Sequence, residues 1–234
     1  MIKKYSAVIE ELEREILNGK FDSNKKLPTE EELMERFDVS RNTIRKAVEI
    51  LVSKGYIYQV HGSGIFLREF SKAGCIPMWD MSGLTKTFSK DKLTSKLLEF
   101  SLIEADEELA EKMKCKTHTK LYHVRRVRYM NEEPFTIEES FFNKDIILYL
   151  NEDICKNSIY EYIVNDLKLK IKFADKVISC EKLNKAEALL LNLNEGDPSL
   201  IIENTVFLSN GMIFDFSREK YNYTKAKLLS LATL

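Results

Sequence analysis

The sequence is poor in the residues that build metal sites and disulfide frameworks. Its four cysteines, at 75, 115, 155 and 180, never stand closer than 25 residues, so there is no C-x-x-C pair and no dense pattern of bridges. The three histidines are His61, His118 and His123. Cys115 and His118 have helical ligand spacing, but no second pair completes a tetrahedral site, so no metal and no cofactor is expected. Long apolar runs are also missing. Ile146 to Leu150 is among the longest and is far too short to span a bilayer. Met1-Ile2-Lys3-Lys4 is followed by Tyr-Ser-Ala-Val-Ile-Glu rather than an apolar signal core. A soluble, cytoplasmic chain with no membrane partner is expected. Nor is there a charge excess: 36 Lys and Arg face 37 Asp and Glu, which argues against a non-specific polyanion binder. No nucleophile–base pair, metal set or Gly-rich phosphate loop supports catalysis, so no enzyme is expected.

What is present is an ordinary globular balance, 44% apolar and 31% charged over 234 residues. This excludes disorder, collagen and coiled-coil arrays as the main content. The length admits one large domain or two small ones. Tyr5, Val8, Ile9, Leu12, Ile16 and Leu17 recur at helical spacing. Thr29 with Glu32 three residues later forms a capping box for a second helix. Ser40 caps a third, which runs to about Lys54, with Gly55 suited to its end. Tyr56–Val60, a turn at His61-Gly62-Ser63-Gly64, and Ile65-Phe66-Leu67 read as a hairpin. Residues 1–67 therefore form one unit and 68–80 a linker. Residues 81–234 alternate strands with capped helices. The strands are expected near Leu97–Glu104, Leu121–Met130, Phe135–Phe142, Ile171–Glu181, Leu200–Phe207 and Met212–Asn222. A faint repeat runs through this region. Val127, Asn131, Phe135 and Ile137 match Val206, Asn210, Phe214 and Phe216 at an offset of 79. It suggests two related halves in one sheet with a cleft between them.

Local charge differs from the average. Residues 1–38 carry 7 basic and 10 acidic groups, whereas residues 39–68 carry 5 basic groups and the single acid Glu49. On the third helix Arg41, Asn42, Arg45 and Lys46 share one face with Glu49, and Ile44, Ala47, Val48 and Leu51 share the other. Arg reads guanine, Asn reads adenine, and Lys with the helix N-terminus meets phosphate. The two helices with their short break make a helix-turn-helix, and the Gly-rich hairpin is a candidate wing whose His61 can donate to phosphate or base. Two such units binding as a homodimer would read palindromic double-stranded operator DNA.

Leu27-Pro28-Thr29-Glu30, Phe37 to Ala47, Gly55-Tyr56-Ile57 and His61 to Phe66 resemble the winged helix of GntR-family bacterial transcription regulators. The resemblance implies DNA contacts from Ser40, Arg41, Thr43, Arg45, Gly62 and Gly64, and with Thr29, Asn42, Lys46, His61 and Ser63 from the reading of the residues they make up the expected DNA-binding set. It departs at Glu31, where some members carry Arg.

Alternation along the strand Leu121–Met130 puts Arg126 and Arg128 on one face with Tyr122, Val124 and Met130. Two guanidiniums among apolar neighbours need an anion. The residues alone favour an internal one, such as Glu138, Glu139 or Asp215, over a ligand phosphate or carboxylate. Residues from about Pro77 to Lys227 resemble the UTRA ligand-binding domain of the HutC subfamily. The matches are Arg126-Val127-Arg128 with Asn131 to Glu138, Ser158-Ile159-Tyr160, the Thr85–Asp91 loop, and Asn210 to Asp215 with Tyr221. The resemblance implies an α+β chain whose second domain is chorismate-lyase-like, a mainly antiparallel sheet with flanking helices. It also implies a small anionic effector, foremost a sugar phosphate, held by Thr87, Ser89, Arg126, Arg128, Glu138, Ser158, Tyr160, Asp215 and Tyr221. The expected function is that of a repressor whose operator affinity this effector controls. An architectural DNA binder without effector, and a regulator of a non-phosphorylated metabolite, are the alternatives. Asp215 stands where Glu is usual in that subfamily. A plain two-residue turn at Asn131-Glu132 would put Glu138 on the face opposite Arg126, and only a bulge would return it.

Overall fold

The computed structural model describes residues 4–17, 19–68, 75–78, 83–88 and 92–230. The chain divides into two compact units. The first holds α1 (Lys4–Leu17), α2 (Glu30–Phe37), α3 (Arg41–Ser53) and an antiparallel hairpin, β1 (Ile57–Val60) with β2 (Gly64–Leu67). The starts of α2 and α3 follow from caps. The Thr29 side chain accepts from the Glu32 backbone N–H while the Glu32 carboxylate accepts from the Thr29 N–H, and the Ser40 hydroxyl accepts from the Thr43 N–H. Asp38 ends α2 in the left-handed conformation at φ 49°, which makes the short break before α3. Leu12, Leu33, Ile44, Leu51 and Ile57 are fully buried and lock the three helices onto the hairpin. At the hairpin tip Gly62 has φ +75° with open space about it, a conformation in which other L-residues are strained.

The second unit contains β3 (Cys75–Pro77), α4 (Leu84–Thr87), β4 (Leu93–Glu104), α5 (Glu107–Met113), β5 (Lys120–Met130), β6 (Glu133–Asn143), α6 (Glu152–Lys156), α7 (Ile159–Asn165), β7 (Ile171–Lys182), α8 (Lys185–Leu191), β8 (Pro198–Leu208), β9 (Ile213–Asn222) and β10 (Lys227–Leu229). Six strands form an antiparallel sheet in the order β4-β5-β6-β9-β8-β7. The repeat seen in the sequence is visible in that order: β4-α5-β5-β6 and β7-α8-β8-β9 meet back to back along β6 and β9. The offset is not constant, however. Glu138 pairs with Arg126 and Ser217 with Asn204, so β6 and β9 differ by 79 (217 − 138) while β5 and β8 differ by 78 (204 − 126). Val127 and Val206, matched by the constant offset, consequently pack on opposite faces of the sheet.

On one face α5 and α8 cover the sheet, with Ala110 and Met113 against Leu121 and Phe216, and Ala188 and Leu191 against Val127 and Ile137. Burying each such large side chain contributes about 1.5–3 kcal/mol. On the other face α6 and α7 pack Cys155, Ile159 and Ile163 onto Tyr122, Phe142 and Phe214. The segment expected as a linker over 68–80 is not wholly connecting chain. Cys75–Pro77 pairs in parallel with Lys227–Leu229, so backbone hydrogen bonds tie it to the second unit. Among the described residues no helix is long and apolar enough to cross a membrane.

Candidate functional site

A cavity opens on the α6–α7 face of the sheet, over the strands where the two halves meet. Period-two alternation aims its walls. β5 contributes Arg126 and Arg128, β6 Glu138 and Ser140, β9 Asp215, Ser217, Glu219 and Tyr221, and β8 Asn204. The N-terminus of α7 adds Ser158 and Tyr160, and the α4 segment adds Gly83, Thr85 and Thr87.

Glu138 reaches this cavity because the hairpin is not plain. Asn131 and Glu132, with φ 52° and 71°, form the two-residue turn, but Arg128 pairs with Thr136 and Tyr129 with Pro134, leaving Phe135 as an extra residue. Pro134 has no N–H to give the ladder, and the bulge beside it shifts register by one. The face assignment expected from a plain turn is thereby reversed.

The two arginines have different employment. Arg126 is engaged on two of its three nitrogens: Nε donates to Glu138 at 2.5 Å, and Nη1 donates to the Cys155 and Asn157 carbonyls at 2.6 and 3.0 Å. Arg128 donates from Nη2 to Thr85 Oγ1 at 2.8 Å and reaches Glu138 at 3.5 Å, while its buried Nε has no hydrogen-bond partner among the described residues. Burial pushes the Glu138 carboxyl up, but the charges of Arg126 and Arg128 outweigh it and hold the group below its usual range.

Across the cavity the Tyr160 hydroxyl donates to Asp215 Oδ2 at 2.6 Å, and the buried Asp215 Oδ1 has no partner among the described residues. Burial pushes the Asp215 carboxyl up to about 7 against the Tyr160 hydrogen bond that lowers it. Glu219, which accepts from the Tyr221 hydroxyl, is likewise raised to about 7 by burial and by the charge of Glu138. Buried polar atoms are nearly always satisfied; these two are closed to water as the side chains stand, on residues that line one cavity, so a ligand group would pair with them only after a side-chain shift.

Of the effector residues expected from the sequence, Thr87, Arg126, Arg128, Glu138, Ser158, Tyr160, Asp215 and Tyr221 all line this cavity, and Ser89 lies outside the described residues. Ser158 also caps α7, accepting from the Glu161 N–H at 3.3 Å, and Thr87 Oγ1 donates to the Gly83 carbonyl at 3.1 Å. The sequence reading missed Glu219, Ser217 and Asn204. Alternation with Asp215 and Tyr221 was the available signal for the first two. The sequence marks Thr85 only as part of the Thr85–Asp91 loop.

On the first unit, Asn42 is exposed beside Arg41, Arg45 and Lys46, and His61, Gly62 and Ser63 are exposed at the hairpin tip. Thr43 is half-buried and its hydroxyl lies 3.0 Å from that of Ser40. The basic face has more acid than the sequence suggested. Arg41 Nη2 donates to Glu31 at 2.6 Å, Arg45 Nε to Glu30 at 3.1 Å, and Lys46 to Glu49 at 3.1 Å. Glu49 is therefore not the sole acid there, because the fold lays the first turn of α2 against α3.

Residues 4–67 match the family of bacterial regulatory proteins called gntR, and residues 89–227 match the UTRA domain. The HTH-type transcriptional regulator YydK of Bacillus subtilis (strain 168) is 38% identical over 226 residues, covering 97% of this chain and 96% of its own. The YydK crystal structure superimposes with a TM-score of 0.81 at 37% identity, covering 99% of this chain and all of that one. The HTH-type transcriptional repressor NagR of the same organism is 30% identical over 219 residues, 93% of this chain and 89% of its own. The effector-binding domain of the B. subtilis trehalose repressor matches 60% of this chain and 98% of its own, with a TM-score of 0.55 and 26% identity. The chain thus belongs to the gntR family of bacterial regulatory proteins, with a UTRA domain as its second unit, and its class is transcription regulation rather than catalysis.

Proposed function

We propose that this chain is a dimeric repressor whose grip on operator DNA is released by a small anionic metabolite, foremost a sugar phosphate. The observation that carries the reading is that Arg128 and Asp215 line one cavity and that, among the described residues, Arg128 Nε and Asp215 Oδ1 have no hydrogen-bond partner. A phosphate offers acceptors to the first, together with the Thr85 hydroxyl, and a sugar hydroxyl offers a donor to the second. Thr87 and Ser89 belong with the anion end, and Glu138, Ser158, Tyr160 and Tyr221 with the sugar. Arg126 holds Glu138 and the α6–α7 connection in place. The relatedness to a trehalose repressor supports a sugar. Arg41, Asn42, Arg45 and Lys46 enter the major groove, Thr29, Ser40 and Thr43 support the phosphate contacts of the helix start, and His61 to Gly64 follow the minor groove. Two-fold symmetry of the protein would match a palindromic site.

The experiment is fluorescence anisotropy of the full chain on duplexes tiled across the DNA flanking its own gene, with a panel of sugar phosphates and the parent sugars. A palindromic duplex bound tightly, and released by a phosphorylated sugar but not its parent, is the expected result. Release by an uncharged sugar alone would overturn the anion assignment. Since a ligand shifts an equilibrium only through differential affinity, operator DNA must weaken effector binding by the same factor.

A further inference from the structure

Glu31 is out of place on a surface that meets DNA. Its side chain is 65% exposed, and it stands at the start of α2 against Arg41, the first residue of α3. A carboxylate there faces a polyanion, so it repels phosphates unless something in the groove donates to it. Glu30 is a different case. Its side chain is only 22% exposed and is occupied with Arg45 Nε. Glu49 lies two turns further along α3 with Lys46 as its partner.

The geometry of the Glu31–Arg41 pair supplies the donor. Arg41 commits one terminal nitrogen to Glu31 Oε1 at 2.6 Å and keeps further N–H groups of its guanidinium. The pair therefore presents N–H donors beside carboxylate acceptors at that spacing. The major-groove edge of a G·C pair presents the reverse pattern. Guanine offers O6 and N7 as acceptors, and next to O6 cytosine offers its N4 donor. O6 and N4 are hydrogen-bonded to one another at about 2.9 Å. Donor meets acceptor and acceptor meets donor at nearly the same spacing.

We propose that Glu31 is a specificity residue for the operator: with Arg41 it reads one G·C base pair as a unit, Arg41 donating to guanine and Glu31 accepting from cytosine N4. The pair formed in the free protein pre-sets both side chains for that edge, so little side-chain entropy is lost on binding. An A·T pair in the same place sets the adenine N6 donor against Arg41 and the thymine O4 acceptor against Glu31, and a T·A pair keeps a donor for Glu31 but gives Arg41 O4 without the neighbouring N7. A reversed C·G pair places both groups against like partners. This assignment rests on the reading of α3 as the helix that enters the groove.

The test is selection of bound duplexes from a randomised library by the full chain, wild type against Glu31→Ala and Arg41→Ala, with thermal melting to check folding. Both side chains are half-exposed or more, so the variants should fold. The expected result is that the wild type selects a G·C pair at a position where both variants lose the preference by roughly ten-fold. Affinity of Glu31→Ala for unrelated duplexes should rise, because a like charge has been removed. If Glu31→Ala selects the wild-type base at every position, or relaxes a position that Arg41→Ala leaves intact, the paired readout is wrong. If Arg41→Ala relaxes no position, the groove-entering role of α3 itself fails, and the proposal fails with it.

Discussion

Arg126 and Glu138 stand directly opposite one another on β5 and β6, and the guanidinium meets the carboxylate at 2.5 Å inside the sheet-face cavity. Both are buried, and Arg128 leans on the same carboxylate. One carboxylate thus serves two guanidiniums and leaves the trio with a net positive charge. Glu138→Ala would leave two guanidiniums in low dielectric without it, which should destabilise the second unit by about 3–5 kcal/mol. Urea unfolding of the full chain measures this. A loss below about 1 kcal/mol would mean that water or another carboxylate takes over the pairing.

This pair also marks the limit of what the sequence discloses. The caps at Thr29, Ser40, Asp106 and Asn184 are local, so they are legible: each is an oxygen-bearing side chain followed by the backbone N–H it satisfies three residues on. The alternation that puts Arg126 beside Arg128, or Asp215 with Tyr221, is local too. The bulge at Phe135 is not, because it depends on how β5 and β6 pair, and one extra residue moves Glu138 to the other face. The acidic partners of Arg41 and Arg45 were hidden for a similar reason. Glu31 and Glu30 are 10 and 15 residues away along the chain, and only helix packing brings them together. The strand Cys75–Pro77 finds its partner 152 residues later, at Lys227–Leu229, which no periodicity announces.

The two raised carboxylates fix a sign for the pH dependence of stability. Asp215 moves from 3.8 to about 7 and Glu219 from 4.5 to about 7. Between about pH 4 and 7 the folded chain keeps protons that the unfolded chain has released, so these groups make stability fall as pH rises through that window. Asp215→Asn combined with Glu219→Gln imitates the protonated forms and should flatten this part of the slope. Denaturant unfolding at pH 5 and pH 8 compares the two proteins. Equal slopes for wild type and double variant would remove both groups from the linkage.

Thr29 is an end-cap before it is a contact. Its side chain accepts from the Glu32 N–H at 3.3 Å, and its backbone N–H donates to the Glu32 carboxylate at 2.7 Å. Thr29→Ala should cost the first unit about 1 kcal/mol, and Thr29→Ser should restore most of it. Differential unfolding of the full chain reads the loss. The salt dependence of DNA binding should stay unchanged if the hydroxyl serves only the helix, and a shallower slope would assign it a phosphate contact.

The last prediction separates the two cavity arginines. Arg126 commits Nε to Glu138 and Nη1 to the carbonyls of Cys155 and Asn157, which join α6 to α7. Removing it should act first on stability, through the stranded carboxylate and the two unpaired carbonyls. Arg128 keeps a buried Nε that has no partner among the described residues, while its Nη2 meets the Thr85 hydroxyl. Removing it should act first on the ligand, since a hydrogen bond to a charged group is worth about 1.5–3 kcal/mol. Calorimetry with the sugar phosphate that releases operator, on Arg126→Lys and Arg128→Lys, tests the division. Lysine keeps the charge and gives up the planar fork, so any difference reports geometry rather than net charge. The expected result is a ligand affinity about ten-fold weaker or more in Arg128→Lys, with a melting temperature near that of wild type. Arg126→Lys should instead melt lower and hold the ligand nearly as well. The reverse pattern would make Arg126 the anion receptor and Arg128 the strut.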